Sequence, residues 1–145
     1  MKKTVLFRSG DAKKLPYLVR YTLFSCKWFS IKLHHILISD EDCLHDHPWA
    51  FISIGLWGSY LEYRQWDPQI LRDFRNKAQY TVATETHRRY RAPWIIYRPA
   101  NSIHRLELKK PVWTLVITFK KVRQWGFWTR KGWIPWFKYS PQERC

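Results

Sequence analysis

The fold is decided by the stretch from Asp42 to Gly58, DCLHDHPWAFISIGLWG. Two histidines, His45 and His47, stand one residue apart at its start, and a run of mostly apolar residues follows from 50 to 57. Successive side chains of a strand point to opposite faces, so both histidines are expected on one face. That face continues through the odd-numbered positions, which are Trp49, Phe51, Ser53, Gly55 and Trp57.

The opposite face of this strand is aliphatic, with Ala50, Ile52, Ile54 and Leu56. A strand that is apolar on both faces is usually covered on both. The outer face therefore needs a second layer, either an N-terminal strand or another subunit. On this ground we expect a homodimer.

The rest of the chain repeats the pattern of short β-branched and aromatic runs separated by turn residues. We predict strands over 4–8, 17–24, 30–38, 50–57, 59–64, 79–84, 94–98, 104–108 and 112–119, and one short helix over 67–78. Many short strands at near-regular spacing are typical of a sandwich or barrel, most economically a jelly roll. The prediction is one all-β domain over 1–145, with N-terminal strands in 1–29, a core over about 30–119 and an aromatic, basic tail over 120–145.

Composition narrows the class of protein. The 145 residues suit one domain, and no apolar run is long enough for a membrane span. The basic opening lacks the apolar stretch of a secretory signal. The three cysteines are irregularly spaced, which favours a reduced, cytoplasmic protein in which Cys145 is inert. Cys43, two residues before His45, is either a further metal ligand or a small apolar residue.

The formal charge of +15 favours anionic partners: nucleic acid, an acidic surface or phosphorylated substrates. The basic residues are spread along the chain, however, so solubility explains them as well. The tail mixes aromatic with basic residues. It is expected to cap the mouth of the barrel, with a dimer contact or stacking on single-stranded nucleic acid as the alternatives.

Two histidines are too few for tight metal binding, and a third ligand is expected from another strand. His104 is the best candidate, because it opens a predicted strand directly after the turn-like segment 98–102. His34 and His35 are adjacent on a strand, so only one of them can face inward, and either is a further candidate ligand. His87 lies in the basic segment THRRYR and is expected in solvent.

These segments resemble the two motifs of the cupin superfamily, a double-stranded β-helix. The first motif, His-x-His, three or four residues, Glu, six residues, Gly, corresponds to His45, His47, Phe51 and Gly58, so Phe51 replaces the carboxylate. The second, Pro-x-Gly-x-x-His, corresponds to Pro99, Asn101 and His104. Asn is the next-best residue where Gly supplies a positive φ. The chain is also similar to small cupin-like proteins of bacteria and phages.

The resemblance implies that His45, His47 and His104 hold one divalent metal, Fe, Zn, Ni or Mn, with open positions for substrate or O₂. Without the Glu, the centre would favour an anionic or chelating ligand. Asp46 has the wrong parity for a ligand and is assigned to a turn or to the support of the site. Further candidates are Glu62 and Tyr97 as catalytic groups and Phe51, Ser53, Trp57 and Arg98 as substrate-binding residues. Leu106 and Leu108, with Trp113, Leu115, Ile117 and Phe119, are expected to face inward.

The leading hypothesis is a metal-dependent, dioxygenase-like enzyme acting on a small polar or anionic substrate. One alternative is an isomerase or epimerase that uses a histidine and a tyrosine as acid and base. Another is a cupin module that binds a sugar, nucleotide or nucleic acid without turnover. The last is a purely structural oligomer.

Overall fold

The computed structural model describes residues 1–8, 15–65, 86–140, 142, 143 and 145. The helix over 67–78 and the strand over 79–84 that the sequence predicts lie outside these residues. The described part is built almost entirely of strands, with one short 3₁₀ turn at Trp136–Lys138. No helix in it is long and apolar enough to cross a bilayer.

Within the described ranges, twelve strands form two antiparallel six-stranded sheets, as expected for a jelly roll. The first sheet, sheet A, has the order β1-β2-β3-β10-β5-β8, and sheet B has the order β12-β11-β4-β9-β6-β7. The strands are β1 (Lys2–Phe7), β2 (Pro16–Ser25), β3 (Phe29–Ile36), β4 (Leu44–His45), β5 (Phe51–Trp57), β6 (Ser59–Arg64), β7 (Thr86–Arg91), β8 (Trp94–Arg98), β9 (His104–Leu108), β10 (Val112–Phe119), β11 (Gly126–Thr129) and β12 (Gly132–Pro135).

The turn between β5 and β6 depends on Gly58. Its φ of +93° is a left-handed conformation that side chains disfavour, and an added Cβ would lie 3.1 Å from a Val112 methyl group. The turn passes the chain from β5 in sheet A to β6 in sheet B.

The inner and outer faces of β10 differ from the prediction. Val112, Thr114, Val116 and Thr118 are buried, whereas Trp113, Leu115 and Ile117 are only half-buried and Phe119 is exposed. The expectation that the latter four form the core is therefore wrong. The inner face of this strand carries the smaller β-branched valines and threonines, and the outer face carries the larger apolar residues.

The cysteine prediction is also wrong. Cys43 and Cys145 form a disulfide, with their Cα atoms 5.2 Å apart, and Cys26 is free and exposed. Cys43 is thus neither a metal ligand nor only a small apolar residue, and Cys145 is not inert. The expected cytoplasmic location rested on the cysteines being unpaired. Because two of them form a disulfide, that location stays a prediction.

Candidate metal centre

The three histidines of the two sequence motifs converge on one wall of a cavity between the sheets. His45 on β4 is the direct strand partner of His104 on β9. His47 follows β4, and its backbone N–H donates to the carbonyl of Ala100 at 3.1 Å. Each ring offers one nitrogen to the cluster, and these nitrogens lie within 4.8 Å of one another. Such spacing allows all three imidazoles to bind one ion.

Glu62 fixes the orientation of His104. His104 Nδ1 donates to Glu62 Oε1 at 2.6 Å, so its Nε2, 3.3 Å from His47 Nε2, is left to face the cluster. The carboxylate also accepts two bonds from Arg98, at 2.5 Å and 3.2 Å. Glu62 is fully buried on β6 behind His104. A carboxylate on the far ring nitrogen of a metal-binding histidine holds the ring and raises its basicity.

The pKa values of the buried groups favour binding of a cation at this site. Burial acts to raise the pKa of Glu62, but the hydrogen bonds from His104 and Arg98 outweigh it and lower that pKa to about 2. Burial lowers the pKa of His45 to about 4 and that of His47 well below its usual value. Both imidazoles are therefore neutral near pH 7, the form that binds metals.

The polar atoms of the site also fit a metal. The Nδ1 atom of His45 is buried and has no hydrogen-bond partner among the described residues. Such an atom is costly to leave unpaired, and a ligand-binding role for this ring accounts for its burial. Three imidazoles suit Zn, Fe or Ni better than Mg, Ca or Mn.

Phe51 lies beside the histidines, where the family motif has a carboxylate. Its ring centroid is 4.7 Å from that of His47, and the residue is 7% exposed. The parity argument placed Phe51 and Ser53 on one strand face with the histidines; both line the cavity, but from β5 of sheet A, whereas His45 lies on β4 of sheet B. This side of the centre is therefore apolar, and the described ligand set consists of histidines alone.

The cavity measures about 530 Å³, a size typical of small-molecule sites. Both sheets contribute to its lining, and Leu106 lies on its wall as expected from His104. The C-terminal segment closes one side: Trp125 and Trp136 line the cavity and stack at a centroid distance of 5.9 Å. The structure thus favours the capping role for the tail, which forms the β11–β12 hairpin at the edge of sheet B.

Three residues that the sequence predicts for substrate binding or catalysis lie outside the cavity. Trp57 is 60% exposed, because the register between β5 and β10 shifts just before it and pairs Trp57 with outward-facing Trp113. Tyr97 is 58% exposed on the outer face of β8 and cannot act as an acid or base in the cavity. Arg98 is buried, and its guanidinium is bound to Glu62 and to the Tyr90 hydroxyl, so it supports Glu62; its substrate-binding assignment stays a prediction.

Glu62 and Asp46 are both buried supports. The alternative that Glu62 is a surface residue is wrong, because Glu62 is fully buried. Both of its carboxylate oxygens accept hydrogen bonds from His104 or Arg98, so neither is free to act as a catalytic group in the cavity. Asp46 accepts hydrogen bonds from the Gly126 N–H at 2.8 Å and the Trp133 indole at 3.0 Å, and it pairs with Arg123 at 2.8 Å. It thereby holds the C-terminal hairpin against the histidine segment.

The remaining histidines follow the parity argument. His34 faces the cavity, whereas His35 points outward and stacks on Trp113 at 4.1 Å. His87 is exposed, although on a strand rather than a loop. Sequence reasoning missed two cavity residues, Arg20 and Lys32. The available signal was a single cation within each of the apolar runs YLVRYTLF and SIKLHHILI.

Comparison with known proteins gives a likeness at the level of structure alone. No family model and no curated protein sequence matches the chain. A solved cupin superfamily protein from Desulfitobacterium hafniense matches with a TM-score of 0.50 and 13% identity, over 72% of this chain and 78% of the other.

Two enzymes have similar structures. The lyase DddQ from Ruegeria pomeroyi, described as a DMSP lyase, gives a TM-score of 0.57 at 14% identity, over 84% of this chain and 57% of its own. The Fe(II) form of HppE gives a TM-score of 0.55 at 11% identity, and the match covers 81% of this chain and 57% of HppE. At identities this low, the structural likeness shows a shared fold alone.

Proposed function

Because the chain has the cupin fold, we propose that it is a metal-dependent enzyme acting on a small polar or anionic molecule in the cavity between its sheets. The observation that carries this proposal is the convergence of His45, His47 and His104 on one point of the cavity wall. The likeness to an Fe(II) protein, HppE, supports a redox-active ion. We therefore favour dioxygenase-like chemistry over isomerisation.

The residues would divide the work as follows. The three imidazoles would hold the ion, which supplies Lewis acidity, open coordination positions and, if it is Fe(II), reactivity toward O₂. Glu62 keeps the proton of His104 on Nδ1 and so aims Nε2 at the ion. Phe51, Trp125 and Trp136 exclude water from the side of the cavity nearest the site. Tyr97 is too exposed to serve an isomerase of the histidine–tyrosine type in this cavity.

Metal titration tests the proposal. The tag-free protein, stripped with chelator, is titrated with Fe(II), Zn(II), Ni(II) and Mn(II), and we expect one equivalent to bind. His45→Ala and His104→Ala should abolish binding, whereas His35→Ala, which removes an outward-facing imidazole, should not. Equal binding by the His104 and His35 variants would refute the site. Oxygen uptake by the Fe(II) protein with candidate anions then tests the dioxygenase step.

One observation favours a second function, the binding of a polyanion. A concavity of about 440 Å³, formed by β6 and β7 of sheet B together with β8 of sheet A, is lined by five arginines, of which Arg88, Arg89 and Arg91 are exposed on β7. Clustered arginines suit phosphate groups. Retention on RNA or DNA that falls steeply with salt, and that is lost when these three are changed to Gln, would support it. The aromatic tail contributes less, because Trp125, Phe127 and Tyr139 stack within the protein.

We also propose a homodimer through the outer face of sheet A. The N-terminal strands lie beside β3 in that sheet and do not cover its outer face. Ile95 and Leu56 remain 71% and 50% exposed there, next to Ile54 and Leu115. A contiguous apolar surface of this kind is typical of a protein interface.

A further inference from the structure

The wall of the cavity that belongs to sheet A carries three basic side chains. Arg20 lies on β2, and Lys32 and His34 lie on β3, where the strand register pairs Arg20 directly with His34. All three line the same cavity as the metal-centre histidines, which belong to sheet B and its adjoining loop. Two chemically different sites thus face one cavity.

The arginine and the lysine of this wall are held by neutral groups. Arg20 Nε donates to His34 Nε2 at 3.2 Å. Lys32 Nζ donates to Thr118 Oγ1 at 3.0 Å and lies 4.4 Å from the centroid of the Trp49 ring. No ion pair among the described residues includes Arg20 or Lys32. Their positive charges are therefore directed into the cavity without a matching anion.

The acidic residues that line the cavity are already engaged. Asp40 accepts hydrogen bonds from the Tyr17 hydroxyl and, at 2.6 Å, from the Leu106 N–H. Asp46 is bound to Arg123 and to the C-terminal hairpin. Neither carboxylate neutralises the basic wall.

Keeping this wall charged is unfavourable in the ligand-free protein. Lys32 is only 8% exposed, and burial together with the charge of Arg20 lowers its pKa to about 8. Burial and the same two cations lower the pKa of His34 to about 3, so it is a neutral acceptor for Arg20. Buried charges are normally paired, so this arrangement indicates that the partner comes from outside the chain.

We propose that Arg20, Lys32 and His34 bind the anionic group, a carboxylate or a phosphate, of a small molecule that occupies the cavity. This inference rests on the proposed function, because it places the other end of that molecule at the three histidines. The substrate is then a small molecule with an anionic end and a second polar group. The arginine offers a planar fork to two oxygens and the lysine a point charge. Trp49 and Phe51 line the same space and suit a short carbon chain between the two ends.

Calorimetric titration of the full chain, stripped of metal, with inorganic phosphate and with succinate tests the anion site. We expect at least one of the two to bind the wild type, phosphate alone identifying phosphorylated ligands and succinate alone carboxylates. Lys32→Met and Arg20→Gln should each weaken that binding about tenfold or more, the typical effect of losing a charge-assisted hydrogen bond. Lys109→Met, at an exposed loop position, is the matched control and should bind as the wild type does.

A stability measurement separates this role from a structural one. Lys32→Met removes a buried cation but keeps the apolar stem, so its denaturant midpoint should equal or exceed that of the wild type. No binding of either anion at millimolar concentration, or unchanged binding in both variants, would overturn the proposal. Because the titration is done without metal, failure of the metal centre leaves its result unaffected. Tighter succinate binding after metal loading would support a ligand that spans both sites.

Discussion

Glu62→Gln is the change whose consequences the structure specifies most closely. The amide keeps the shape of the side chain but leaves Arg98, which is 6% exposed, with a buried and unbalanced charge. Removing one member of a buried ion pair costs about 3–5 kcal/mol. The amide can also turn its NH₂ toward His104 and shift the ring proton to Nε2, the atom needed for the metal. Loss of such a supporting carboxylate typically weakens metal binding about 10–100-fold.

The assay combines urea denaturation of the metal-free protein with a metal titration. Glu62→Gln should lose stability and metal affinity together. The double variant Glu62→Gln, Arg98→Met should recover much of the stability, because the unbalanced cation is gone, but none of the affinity. Glu107→Gln, an exposed carboxylate on β9, is the control for both measurements. A Glu62→Gln protein within 1 kcal/mol of wild type that binds metal equally well would refute the reasoning.

Three further predictions concern other parts of the molecule. The pKa of Lys32 is about 8 in the folded protein, against an ordinary value of 10.5. Between these pH values Lys32 is protonated in the unfolded chain but mostly deprotonated in the folded protein. The wild type should therefore gain stability relative to Lys32→Met, by at most about 3 kcal/mol, as pH rises through this window; a constant difference would contradict the assignment. Cys145→Ser opens a loop of 102 residues and should cost about 2–4 kcal/mol under non-reducing conditions, whereas Cys26→Ser should cost nothing measurable; equal midpoints would contradict the disulfide. Sedimentation should show a dimer at micromolar concentration that Ile95→Glu converts to a monomer, and a wild-type monomer would defeat the interface proposed on sheet A.

Parity along strands was the most informative part of the sequence. It predicted that His45, His47, Phe51 and Ser53 lie on one face of one strand, and all four do line the cavity. They do not share a strand, however, because His45 lies on β4 of sheet B, Phe51 and Ser53 lie on β5 of sheet A, and His47 lies between the two strands. The strands over 59–64, 94–98, 104–108 and 112–119 have the predicted bounds, because turn residues end each of these runs sharply. The same reasoning failed at Trp57, since a register shift reverses the faces and such a shift leaves no mark in the pattern of residue types.

Long-range partners could not be predicted from the sequence. The bonds that Glu62 accepts from Arg98 and His104 join three strands of two sheets, and only the packed fold brings them together. β4 has two residues and β7 is highly charged, so neither resembles an ordinary strand in the sequence. The Cys43–Cys145 pair spans most of the chain, and three cysteines allow several pairings.

Anomalous diffraction from crystals of the metal-loaded protein, recorded on both sides of the absorption edge, tests the metal centre most directly. We predict one peak per chain, about 2.0–2.2 Å from one nitrogen of each of His45, His47 and His104, with Nε2 as the ligand atom of His104. The remaining positions should hold oxygen. A peak elsewhere in the chain, or none at this cluster in fully loaded protein, would contradict the account.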